Sequence, residues 1–233
     1  MKIAEIFRSL QGEGFLTGAD SIFVRASGCN LRCWFCDTSY TSWEPEGDDL
    51  SVDEILRQVD ELLIDDKPCG HAVLTGGEPM LFAELVPLAA ALKERGLHIT
   101  VETAGTLYLP LVCDLMSISP KLAGSGPSAE QDQRWHRRHE RTRHAPEVIQ
   151  QLVDEYPYQI KFVVDSPADC AIAEAWLKEF PQIDRSCVLL MPQGTDLDAL
   201  DDKAAWLEPY CRQHNLHFCR RKHIEWFGNV RGT

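Results

Sequence analysis

The chain has 233 residues, 44% of them apolar, a formal net charge of -13 and nine cysteines. That length can bury one sizeable core, so a single domain over 1–233 is expected, and no apolar run approaches the roughly 18 residues of a membrane-spanning helix. The acidic balance argues against a nucleic-acid partner, which needs clustered Lys and Arg, and favours a small-molecule substrate. The opening Met1-Lys2-Ile3-Ala4-Glu5 has no apolar signal stretch, so a reducing, cytoplasmic setting is expected, with thiols and not disulfides.

In chain order, Leu10-Gln11-Gly12-Glu13-Gly14 sets two glycines around a carboxylate and by itself reads as a flexible loop. A strand is predicted over 21–26, and directly behind it comes Gly28-Cys29-Asn30-Leu31-Arg32-Cys33-Trp34-Phe35-Cys36-Asp37-Thr38. Short apolar runs predict further strands over 71–75, 98–102, 115–119, 159–164, 187–191 and 216–219. Helices fall between them over 51–63, 82–95, 168–180 and 197–214. The first is the clearest, with Val52, Ile55, Leu56, Val59, Leu62 and Leu63 on one stripe and a capping box from Ser51 and Glu54. The polar stretch 124–146 is expected as a surface insertion. Within it, 134–144 holds five of the 23 Lys and Arg side chains and reads either as a solvated loop or as a basic interaction patch. Aromatic residues close to the C-terminus, in 223–233, predict a tail that docks.

Alternating strands and helices imply parallel strands joined by right-handed crossovers. About seven strands in 233 residues are a tight fit for an eight-unit barrel. The expected fold is therefore α/β, an incomplete, open TIM-type barrel with outer helices. Ligands in such folds sit at the carboxyl ends of the strands, so the segment after each strand carries the search for chemistry.

After the first strand, the spacing Cys29-x3-Cys33-x2-Cys36 would leave one iron of a four-iron cluster without a thiolate and open to a small molecule. The competing zinc reading needs a second Cys or His pair. Cys69, Cys113, Cys170, Cys187, Cys211 and Cys219 form no such pair and mostly read as small buried hydrophobes. After the second strand comes Gly76-Gly77-Glu78-Pro79. Alone it is a plain turn; beside the cysteine loop it lets backbone approach a ligand while Glu78 accepts from an ammonium. Later strand ends offer Glu102-Thr103-Ala104-Gly105, Ser119-Pro120-Lys121 and a Pro192-Gln193-Gly194 turn able to face an adenine. Arg25 is either a surface arginine or an anion binder inside the barrel, and Thr38 by itself could be just a turn cap.

Together with LQGEG at 10–14 and Asp37-Thr38 after the last cysteine, these motifs resemble the 7-carboxy-7-deazaguanine synthases, radical S-adenosylmethionine enzymes of queuosine precursor synthesis. The resemblance covers most of the chain, although the 124–146 stretch is extra to the compact members. It implies conversion of 6-carboxy-5,6,7,8-tetrahydropterin to 7-carboxy-7-deazaguanine with loss of ammonia, a carbon-nitrogen lyase-type reaction. It implies a [4Fe-4S] cluster on Cys29, Cys33 and Cys36, cleavage of S-adenosylmethionine to a 5'-deoxyadenosyl radical, and Mg2+ on Thr38. The cofactor would meet Phe35, Cys36 and Asp37, then Gly76, Gly77 and Glu78, and from later strands Glu102, Ser119, Lys121 and Gln193. The pterin would meet Leu10, Gln11, Gly12 and Glu13, then Arg25, Thr75 and the terminal Thr233. A flavodoxin or ferredoxin electron donor and a homodimer are implied as partners. Two other readings stand beside it: a glycyl-radical activating enzyme of the same superfamily, and a non-catalytic iron-sulfur or zinc protein with a fourth ligand in reach.

Overall fold

The computed structural model describes residues 1–64 and 69–233. Its strands are β1 (Lys2–Leu10), β2 (Asp20–Ala26), β3 (Asp48–Asp49), β4 (His71–Gly76), β5 (His98–Thr103), β6 (Leu115–Ile118), β7 (Tyr158–Val164), β8 (Val188–Pro192) and β9 (His217–Phe218). They form one sheet in the order β3-β1-β2-β4-β5-β6-β7-β8-β9. From β2 to β9 every neighbouring pair is parallel. The connecting helices are α1 (Val52–Leu63), α2 (Leu85–Glu94), α3 (Gln133–Thr142), α4 (Pro146–Glu155), α5 (Pro167–Glu179) and α6 (Leu197–Gln213), with α7 (Lys222–Phe227) after β9. The terminal strands β3 and β9 do not pair with each other among the described residues. The barrel is therefore open, as the strand count predicts.

All seven predicted strands are present, and they are the parallel ones. The sheet continues beyond them through β1, which runs antiparallel to both β2 and β3. Sequence periodicity passes over β1 because Ile3 is its single buried residue and charged Glu5 and Arg8 interrupt its apolar positions. Its pairing with β2 is carried by side chains: Phe7 stacks on Phe23 at 5.0 Å, and Arg8 donates to Asp20 at 2.9 and 2.7 Å.

Strand alternation divides the sheet chemically. Ile22, Val24, Leu74, Ile99, Val101, Ile118, Ile160 and Phe162 belong to one core with Ile55, Val59, Leu88, Leu92, Leu152, Trp176 and Leu207 of the helices. The alternate positions turn inward and are polar near the carboxyl ends: Arg25, Thr75, Glu102, Ser117 and Lys161 line one cavity. Deeper inside, His71 bonds Ser21 Oγ through Nδ1 at 2.6 Å and Thr100 Oγ1 through Nε2 at 2.8 Å. The apolar outer face holds the fold together, and the polar inner face is available for binding.

The capping box at Ser51 and Glu54 is present at the start of α1. Three helices were not legible as such: α3, α4 and the six-residue α7 in the C-terminal tail. The stretch 124–146, expected as a loop, has α3 at its centre, because Asp132 caps its first turn and His139 is fully buried against the cysteine loop. Behind it, α4 begins at Pro146 in the favoured first position and buries Ile149, Leu152 and Val153.

Candidate active site

The cysteine loop leaves the end of β2 and is held in place before any ligand is considered. Gly28 N–H donates to Thr41 O at 2.8 Å, Glu78 N–H to Gly28 O at 2.8 Å, and Gly77 N–H to Ala26 O at 3.0 Å. Arg32 Nη1 donates to Cys29 O and Leu31 O at 2.9 and 2.7 Å, and Trp43 Nε1 to Cys33 O at 3.2 Å. A side chain at Gly77 would place its Cβ 2.3 Å from Gly28 O and 2.9 Å from Cys29 Cβ. The Gly-Gly pair is thus needed for two strand-end loops to pack against each other.

Cys29, Cys33 and Cys36 are all unpaired and line one wall of a cavity of about 390 Å³. No other cysteine lines it. Burial pushes the Cys29 thiol up to about 12 and the Cys33 thiol up to about 11. Thiolates at this wall therefore require a cationic partner, and ferrous or ferric iron meets that need. Among the described residues no three His, Cys, Asp or Glu side chains are grouped tightly enough to hold a single ion. Three thiols facing one cavity fit a cluster with one open iron.

The same cavity is lined by polar groups. Arg25 donates through Nε to Glu5 at 2.7 Å, and Tyr40 Oη donates to the same Glu5 oxygen at 2.5 Å. The terminal nitrogens of Arg25 make no hydrogen bond among the described residues, and the guanidinium lies 5.8 Å over the Phe7 ring at the cavity lining. Glu102 accepts from Gln11 Nε2 at 3.1 Å and from Thr75 Oγ1 at 2.8 Å. Although Glu102 was expected at the cofactor, it joins two residues expected at the substrate.

Glu13 pairs with Lys161 and Arg221, the latter at 3.2 Å, with His223 Nδ1 3.8 Å away. Burial alone would raise its pKa, but Lys161, Arg221 and His223 outweigh burial and hold its carboxyl well below the usual range. Lys161 is shifted upward: burial opposes its charge, and Glu13 and Glu102 more than restore it. Arg221 also clamps Asp37. At Gly14, where φ is +77°, a Cβ would lie 2.4 Å from Gln159, whose Oε1 accepts from Phe15 N–H at 2.9 Å. The LQGEG segment is therefore a fixed wall of the cavity and not a flexible loop.

The cavity brings together nearly every expected residue: Leu10, Gln11, Gly12, Phe35, Thr38, Gly76, Ser119, Lys121, Gln193 and Thr233 line it with those already named. Lys121 Nζ donates to Ser119 Oγ at 2.8 Å, and Gln193 Oε1 accepts from Lys203 at 3.2 Å. Thr38 Oγ1 lies 3.7 Å from Cys36 Sγ. Glu78 is the exception. It is fully buried and outside the lining, and its carboxylate accepts from Met80 N–H, Thr103 Oγ1 and Ala104 N–H at 3.1, 2.8 and 2.9 Å, which braces the turn. Lys161, Arg221, His223, Glu5 and Tyr40 are lining residues that motif spacing does not show. Only Lys161 left a trace, as a cation inside an apolar strand.

A family model described as the Radical SAM superfamily matches residues 23–160. A 7-carboxy-7-deazaguanine synthase of Rhodopirellula baltica is 43% identical over 99% of this chain and 88% of its own length. One of Halobacterium salinarum is 42% identical over 96% of this chain and 89% of its own. The crystal structure of QueE from Escherichia coli shares the fold, with a TM-score of 0.69 over 95% of this chain and 94% of that one at 24% identity. With a near-full-length match to relatives of one name and the three cysteines facing one cavity, this chain belongs to the 7-carboxy-7-deazaguanine synthases of the radical S-adenosylmethionine superfamily.

Proposed function

We propose that this chain converts 6-carboxy-5,6,7,8-tetrahydropterin to 7-carboxy-7-deazaguanine with release of ammonia, a step of queuosine and 7-deazapurine synthesis. The observation that supports the reading is that Cys29, Cys33 and Cys36 line the same cavity as Arg25, Gln11 and Glu13. When bound, the [4Fe-4S] cluster and S-adenosylmethionine supply a carbon radical by one-electron cleavage of the sulfonium.

The chain's own residues do the rest. Arg25 offers its terminal nitrogens to the substrate carboxylate while Glu5 fixes its Nε. Glu13, kept ionised by Lys161 and Arg221, accepts the N–H groups of the pterin's guanidine-like edge. Gln11 and Thr75 orient Glu102 at the centre. The C-terminal residues 229–233 line the cavity. Thr38 would hold Mg2+ together with the substrate carboxylate, in keeping with an ion that uses few protein ligands. The enzyme is proposed to work in the cytoplasm, with a low-potential flavodoxin or ferredoxin as donor. A homodimer is proposed as its assembly, for which the exposed Trp226, Phe227 and Val230 supply apolar surface.

The test is anaerobic reconstitution of cluster and S-adenosylmethionine, incubation with the carboxypterin and dithionite, and product analysis. The expected outcome is equimolar 7-carboxy-7-deazaguanine and ammonia. Radical formation without either product would favour the activating-enzyme reading.

A further inference from the structure

The basic stretch of the sequence has no part in the cavity. In α3, Arg134, Arg137, Arg138 and Arg141 are exposed and follow the three- and four-residue spacing of one helix face. None of the four forms an ion pair among the described residues. Glu140, the only carboxylate in the helix, is taken by Arg143 at 2.7 Å. On a chain whose net charge is -13, this is a concentrated positive face.

Its position decides what it serves. The inner side of α3 is fixed to the cysteine loop: Arg32 N–H donates to His139 Nδ1 at 3.1 Å, and the Arg32 guanidinium lies 3.9 Å over the Trp135 ring. Arg32 in turn holds the carbonyl of Cys29. Trp34, between two of the three cysteines, donates its N–H to Ser125 O at 3.0 Å and leaves its side chain 51% exposed. The helix that carries the positive face thus grips the cysteine loop directly through Trp135 and His139, and that loop carries an exposed aromatic, Trp34.

We infer that the exposed arginine face of α3, with Trp34, is the docking surface for an acidic one-electron carrier protein. This rests on the radical reading above, which needs one electron per cleavage. In the step, one electron leaves the carrier's reduced flavin and enters the cluster, so the carrier is oxidised by one and the cluster reduced by one. A negatively charged carrier is repelled by most of this surface and attracted to α3, which orients it toward the cluster. Nucleic acid, the other polyanion, is disfavoured because the patch is one short helix on an acidic molecule.

The test uses the anaerobic holoenzyme, reduced flavodoxin as the probe, and the triple variant Arg134→Glu, Arg137→Glu, Arg141→Glu, whose side chains brace nothing. The expected result is at least a tenfold loss of flavodoxin affinity, followed by flavin fluorescence, with a flatter salt dependence. Flavodoxin-driven turnover should fall alike while dithionite-driven turnover is unchanged. A control with Arg57→Glu and Arg212→Glu, on α1 and α6, should keep wild-type affinity. Unchanged flavodoxin affinity in the triple variant, an equal loss in the control, or tight duplex-RNA binding that the triple variant loses while flavodoxin binding persists, would each overturn the inference. Failure of the wild type to form product with dithionite would instead count against the proposed reaction, and the binding titration still decides the docking.

Discussion

Glu13 and Lys161, 148 residues apart in the chain, form a buried ion pair on the inner wall of the barrel. It joins the LQGEG segment to the middle of β7, so one interaction serves both fold and site. Removing one partner of a buried pair costs about 3–5 kcal/mol where the other charge is left uncompensated, and here Arg221, 3.2 Å from Glu13, keeps the loss below that range. Lys161→Met is therefore expected to lower the urea unfolding midpoint and raise the KM for the carboxypterin, while cluster content stays normal. Adding Glu13→Gln should recover part of the stability and none of the turnover. A Lys161→Met enzyme with wild-type KM would remove Glu13 from substrate recognition.

Arg25 lines the cavity, and Glu5, on the antiparallel neighbour β1, accepts from its Nε at 2.7 Å. Arg25→Ala is expected to weaken carboxypterin binding by roughly ten- to a hundredfold, the equivalent of about 1.5–3 kcal/mol for a charge-assisted bond. Glu5→Gln keeps an acceptor and should cost less. Both variants should keep the brown colour of the cluster, and equilibrium binding of the substrate separates an affinity effect from loss of cluster.

Cys29→Ala, Cys33→Ala and Cys36→Ala are each expected to abolish the cluster absorbance and all cleavage of S-adenosylmethionine. Cys219 is the informative control: its Sγ accepts from Gly14 N–H at 3.2 Å beside the substrate wall, yet it lies outside the cavity lining. Cys219→Ala should keep the cluster and alter only the KM. Iron and sulfide analysis of the four variants reads this directly, and loss of cluster in Cys219→Ala would end the three-thiol argument.

The parallel strands and the motifs behind them were legible because each strand is a short apolar run and the chemistry sits at its end. Arg25, Thr75 and Glu102 could be placed that way. Three features escaped for physical reasons. β1 mixes charge and apolar residues because its neighbours use Glu5 and Arg8 as partners. The helix α3 is so rich in arginine that composition suggested a loop, whereas its fold depends on the two positions Trp135 and His139 that grip Arg32. Glu78 follows two glycines that line the cavity, but its side chain turns to three donors outside that lining. A motif places backbone; which way a side chain turns depends on donors from other strands.

His71 gives a pH dependence of stability. It is 5% exposed, and burial first, then His98, lower its pKa from 6.5 to about 4 against the opposing pull of Glu102 and Asp114. Between these values the unfolded chain binds a proton that the folded chain refuses, so stability falls as pH drops from about 6.5 to about 4 and levels below. The contribution is on the order of 3 kcal/mol. His71→Gln, which cannot titrate, should flatten the curve of unfolding free energy against pH by that share. An unchanged slope would mean that His71 binds its proton equally well in the folded and the unfolded chain.

Thr38 separates the proposed reaction from its rivals. Its hydroxyl stands 3.7 Å from Cys36 Sγ and on the cavity lining, so an ion held there would sit between the cluster wall and the substrate carboxylate near Arg25. If Mg2+ bridges Thr38 and that carboxylate, turnover should rise with Mg2+ and fall on chelation, while the cluster absorbance stays constant. Thr38→Ala should lose most of the response, and Thr38→Ser, which keeps the oxygen, should preserve it. Neither a glycyl-radical activator nor a plain iron-sulfur protein has reason to behave this way. Turnover indifferent to Mg2+ after thorough chelation would show that Thr38 only accepts Thr41 N–H through its backbone carbonyl at 2.8 Å, and that Arg25 holds the carboxylate alone.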